Sequence, residues 1–148
     1  MSASLRVSVL IALAVVSCSG AGGEASSSAS DVILPPTFGN VYTSVIARRC
    51  TPCHTVPGEI GITDGKLDMT SQAAAYADLV GTEAAGVSCG GKGLRVAPGS
   101  PTDSIMYLKT DLTDPAPCGS KMPLGGPPLS AADVALIQAW ISAGAQND

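Results

Sequence analysis

The chain has 148 residues, room for one domain, and 45% of them are hydrophobic, but with only one Trp, three Tyr and one Phe any core must be mostly aliphatic. Seventeen Gly and eleven Pro imply long irregular stretches and a core underfilled by its own side chains, which a bulky apolar cofactor or a disulfide would complete. A net charge of −4, with no basic run beyond Arg48-Arg49, excludes nucleic acid as a partner.

The first element is an export signal. Arg6 and the amino terminus form a short basic region, followed by a mostly apolar run from Val7 to Val16. That run is too short to span a bilayer, which needs about 20 residues, and fits the apolar region of a signal peptide. The stretch VVSC, residues 15–18, resembles the lipobox of bacterial lipoproteins. The resemblance implies cleavage after residue 17, with Cys18 as the lipid-modified first mature residue; the simpler alternative is ordinary secretion. Loss of the leader leaves seven basic against twelve acidic residues, a net −5. The expected location is the periplasmic side of a bacterial membrane, anchored through Cys18, where disulfides persist. Residues 18–36, rich in Ser, Gly and Ala, are expected to be a flexible linker.

The globular domain is expected over 37–148. Thr37 caps a helix whose apolar positions Phe38, Val41, Tyr42, Val45 and Ile46 recur at spacings of three and four. This helix runs directly into Cys50. Pro57, Gly58, Gly61 and Gly65 make the following stretch a loop. TSQAAAYADLVG is a short helix stopped by Gly81. Ser100, Pro101 and Asp103 mark the cap, first and third positions of a helix carrying Ile105, Met106, Leu108 and Lys109. The last helix is the strongest: Ser130 and Asp133 form a capping box, Leu129 staples to Val134, and Gly144 is the stop. No alternating run suggests a sheet, so the class is all-α with loops.

The chemistry concentrates in RRCTPCHTVPGE, residues 48–59, which holds two of five cysteines and the only histidine. Spaced as C-x-x-C-H, Cys50 and Cys53 can form thioethers with the two vinyl groups of a haem, and His54 can then bind its iron. Two other chemistries use similar residues. A zinc site could take the four thiolates of Cys50, Cys53, Cys89 and Cys118. A thiol–disulfide oxidoreductase could use Cys50 and Cys53 alone, but that motif belongs after a strand at a helix start, whereas here a helix precedes it.

CTPCHTV after an amphipathic helix, KMP before the last helix, and the terminal DVALIQAWISAGA together resemble the small class I bacterial cytochromes c, over nearly all of 37–148. The resemblance implies an all-α, cytochrome c-like fold of a few helices around one covalently attached haem c. It implies that the first and last helices cross and that a methionine from a late loop completes the iron coordination. Met122, in the proline-rich loop CGSKMPLGGPP, matches that position; Met106 and Met69 are the alternatives, and Met106 has core packing as its default. The implied function is a monohaem electron carrier, with a haem c subunit of an enzyme or sensor complex as the alternative. Such a carrier has redox partner proteins and no catalytic residue.

Cys89 and Cys118 remain, and in an exported protein an unused pair most simply forms a disulfide, here at the base of the Met122 loop; two free buried thiols are the alternative. The family often holds the proximal imidazole's other nitrogen with a proline carbonyl, for which Pro57 is the candidate. Arg95 is expected at the surface, with a haem propionate as its other possible partner. Trp140 is expected in the core.

Overall fold

A computed structural model describes residues 34–111, 113 and 115–148. The signal segment 1–17, Cys18 and the linker as far as residue 33 lie outside the described residues. Among the described residues no helix is long and apolar enough to cross a membrane.

The first helical stretch begins where expected, because Thr37 Oγ1 accepts the Asn40 N–H at 3.2 Å. Its start is also held by Asp148, whose side-chain oxygen accepts from the Phe38 N–H and whose carbonyl accepts from the Gly39 N–H, both at 2.8 Å. It runs as Phe38–Val41 (α), Tyr42–Ile46 (π) and Ala47–Arg49 (α). The π stretch has no signal in the amphipathic pattern. Its wider turn, closed by the Ala47 N–H on the Tyr42 carbonyl, shifts the register of everything that follows. Leu34, assigned to the linker from sequence, already packs on the core beneath this helix.

The last helix, Ala131–Ser142, has the expected capping box, with both Ser130–Asp133 hydrogen bonds formed. It ends in a Schellman arrangement: Gly144, at φ +101°, donates to the Ile141 carbonyl at 2.9 Å, and Ala145 donates to Trp140 at 3.0 Å. The first and last helices pack together through Phe38 and Trp140, whose ring centroids are 5.1 Å apart. Tyr76, from the helix Gln72–Leu79, meets Phe38 edge-on at 5.1 Å, and its hydroxyl donates to the Ala145 carbonyl at 2.9 Å. Trp140 is buried, as expected, and its indole N–H donates to the Gln146 carbonyl at 2.9 Å.

Two segments depart from the sequence expectation. The stretch read as a loop after His54 contains a short helix, Ile60–Thr63. The helix expected to start at Ser100 is broken in two: a 3₁₀ turn, Pro101–Asp103, then an α-helix, Ile105–Thr110. The break lies at Ser104, which is fully buried and extended (φ −103°, ψ 113°). Its hydroxyl donates to the Ser100 carbonyl at 2.8 Å and accepts from the Ala97 N–H at 2.9 Å, an alternative to the helical ladder that a short polar side chain offers. The Ser100 side chain donates to Asp103 instead of capping. Among the described residues there is no strand, only isolated bridges Val80–Val96, Glu83–Leu94 and Ala97–Ser100.

Candidate functional site

The first helix ends at Cys50, and the motif that follows wraps into one further turn. The His54 N–H donates to the Cys50 carbonyl at 3.0 Å, and Thr55 and Val56 both donate to Pro52. Cys50, Cys53 and His54 are thereby carried to one wall of a cavity of about 580 Å³. That volume falls within the ordinary range for small-molecule and cofactor sites, roughly 300–1,000 Å³. Val45, Leu67, Leu79, Ile105, Leu129 and Ile137 give it an apolar lining. Met122 lines the same cavity, and so do Met69 and Met106.

His54 is fixed from three sides. Its Nδ1 lies 3.3 Å from the Leu67 carbonyl, which can only accept, so the proton sits on Nδ1 and Nε2 keeps its lone pair. Burial lowers the pKa of the ring, favouring the neutral, ligating form. Its carbonyl accepts the Met69 N–H at 2.8 Å. The third side is Gly61: a Cβ there would stand 2.5 Å from His54 Nδ1 and 2.4 Å from the Cys53 carbonyl. The helix Ile60–Thr63 can rest on the imidazole only because residue 61 has no side chain. Gly65 and Gly86 extend this close packing, since a Cβ on Gly65 would meet the Gly61 carbonyl at 2.3 Å and one on Gly86 the Gly65 carbonyl at 2.6 Å. All three glycines line the cavity. The i, i+4 spacing of Gly61 and Gly65 was the available sequence signal for this, and it reads equally well as loop composition. The partner of His54 is the Leu67 carbonyl and not that of Pro57: the short helix packs on the ring through Gly61, and the chain leaving it brings the residue 67 carbonyl to Nδ1.

Cys50 and Cys53 are unpaired thiols. Burial pushes the Cys50 pKa up to about 11, with Arg49 only partly offsetting it. A redox dithiol needs the opposite, a thiolate stabilised at a helix N-terminus, whereas Cys50 closes a helix C-terminus. Cys89 and Cys118 are joined as a disulfide, with Cα atoms 5.3 Å apart, which removes two thiolates from any four-cysteine zinc site. Among the described residues no three His, Cys, Asp or Glu side chains converge as a metal site, so Cys50, Cys53 and His54 do not meet at one point as zinc ligands would.

Arg95 is buried, not at the surface. Its guanidinium donates to the Asp78 carbonyl at 2.8 Å and to the Lys66 carbonyl, and lies 3.5 Å from the Asp78 carboxylate. It thus ties the segment carrying Leu67 to the helix Gln72–Leu79 while lining the cavity. An arginine between Leu and Val has no local sign of burial; its carbonyl partners are distant in sequence and leave no mark there. Lys109, whose pKa burial lowers, also lines the cavity.

No protein-family model, curated protein or solved structure matches this chain.

Proposed function

We propose that the chain is an exported monohaem c-type cytochrome, an electron carrier that holds one covalent haem c through Cys50, Cys53, His54 and Met122. The observation that carries this reading is the shared cavity: two free cysteines, one imidazole and one loop methionine line a single, mainly apolar space. The donor set fits the group. Cys50 and Cys53 would supply the thioethers, His54 Nε2 the proximal ligand and the Met122 thioether the distal ligand. A bound haem c supplies a one-electron couple between ferric and ferrous iron.

The chain's own part is holding and orienting. Leu67 sets the His54 tautomer, and Gly61 sets the ring's orientation by direct packing. The mainly aliphatic lining offers apolar contact to a bulky apolar group. Among the three methionines, Met69 has its backbone bonded to that of His54 and its side chain in the main core, and Met106 packs on that core from a helix. Met122 comes instead from an irregular loop, with its N–H bonded to the Lys109 carbonyl, and belongs to neither core cluster. Ile60, Val87 and Leu124 are exposed and line the same cavity, giving an apolar contact surface suited to transient redox partner proteins. Membrane attachment through Cys18 on the periplasmic side belongs to the same proposal.

Expression of the full chain with haem-attachment machinery, followed by intact mass measurement, tests the reading. The expected product carries one haem, and the double variant Cys50→Ala, Cys53→Ala carries none. A wild-type polypeptide without haem mass overturns it.

A further inference from the structure

The segment that carries Met122 is fastened to the helix Ile105–Thr110 by lysines acting in both directions. From the helix, the Lys109 ammonium donates to the Cys118 carbonyl at 2.7 Å and lies 3.7 Å from Cys89 Sγ. From the loop, the Lys121 ammonium donates to the Leu108 carbonyl at 3.1 Å and to the Asp111 carbonyl. Between these two contacts the Met122 N–H donates to the Lys109 carbonyl at 2.9 Å. Among the described residues neither ammonium has a carboxylate within ion-pair distance. Both are half-buried and directed at main-chain carbonyls, a use of lysine that sacrifices hydration for positioning. Lys121 does so where the helix ends and its last carbonyls lack intrahelical partners, so it also complements the helix dipole.

We propose that Lys109 and Lys121 form a reciprocal clasp that positions Met122 against the cavity, and that they set how readily an outside ligand displaces its thioether. The proposal rests on the haem reading above for its second half, while the clasp itself does not. Disulfide and clasp divide the work. The Cys89–Cys118 bridge fixes where the loop starts, and the lysines fix the four residues from there to the methionine.

Two measurements on the full chain test it, with Lys109→Met and Lys121→Met as variants, Lys109→Arg as the conservative one, and the exposed Lys92→Met as a charge control. The first is the dissociation constant of imidazole for the ferric holoprotein. Each clasp variant should bind imidazole about tenfold more tightly, the loss of one charge-assisted hydrogen bond. Lys109→Arg should lie near wild type, and Lys92→Met should match it. Imidazole affinity in both clasp variants equal to that of the wild type overturns the role in ligation. The second is amide hydrogen exchange across residues 118–124, which needs no haem. It should accelerate about tenfold in both clasp variants and not in Lys92→Met. Unchanged exchange overturns the clasp. A chain that takes up no haem but shows the exchange effect separates failure of the haem reading from failure of this one.

Discussion

Gly61 illustrates how a single position can be dictated by what it touches. Its φ is ordinary, yet a methyl group there would overlap both the imidazole of His54 and the carbonyl of Cys53. Gly61→Ala should therefore destabilise the fold by about 1–3 kcal/mol, the usual cost of overpacking, read as a lower midpoint in denaturant unfolding. An unchanged midpoint would mean the short helix can shift away from the ring without cost. Cys50 makes a second, chemical prediction. With its pKa near 11 instead of 9.0, the thiolate fraction at pH 8 falls about a hundredfold. Alkylation of Cys50 by iodoacetamide in the haem-free chain should be slower than that of an unperturbed thiol by about that factor, and should recover as the pH rises towards 11. A fast, low-pKa thiol would instead favour the dithiol reading. The residues of the proposed attachment motif can be named from spacing alone, because C-x-x-C-H is local in sequence. Leu67 and Arg95 were not, because their roles come from a main-chain carbonyl and from contacts 17 and 29 residues away.

The helices divide in the same manner. Thr37 and Ser130 each accept the expected N-terminal amide, Ser71 caps its own helix in the same way, and Gly144 closes the last helix as its position predicted. Caps are readable because donor and acceptor lie three residues apart. The π stretch at 42–46 and the break at Ser104 answer to tertiary packing, and the sequence pattern passes over both without a signal. Ser130→Ala should cost about 1 kcal/mol, the typical loss of an N-cap, measured by chemical denaturation. Removing the disulfide as the pair Cys89→Ala, Cys118→Ala opens a closed segment of 30 residues and should cost about 3–4 kcal/mol by the chain-entropy account. A loss well below 1 kcal/mol would show that the unfolded chain is already compact in this segment. The disulfide ties the small cluster of Ala84 and Ile105 to the loop leading to Met122, so its removal should also weaken that loop.

The molecule as a whole joins one aromatic-centred core, where the first and last helices meet, to a cavity that this core does not fill. Phe38, Trp140 and Tyr76 cluster where the first and last helices meet, and a largely apolar cavity of about 580 Å³ lies beside the core. The shortage of aromatic residues and abundance of glycine in the sequence agree with such a fold, in which glycines Gly61, Gly65 and Gly86 bring backbone directly to the cavity. If the proposed anchor is correct, Cys18→Ala should move the protein from the membrane fraction to the soluble periplasmic fraction; equal partition of variant and wild type would contradict the anchor. The central claim is that two halves of a site, His54 and Met122, 68 residues apart in sequence, hold one iron between them. The most direct measurement is the visible spectrum of oxidised and reduced holoprotein, compared between wild type and Met122→Ala. The oxidised wild type should show a weak long-wavelength band that disappears in the variant, while the haem stays covalently bound. A band that persists unchanged in Met122→Ala would contradict it.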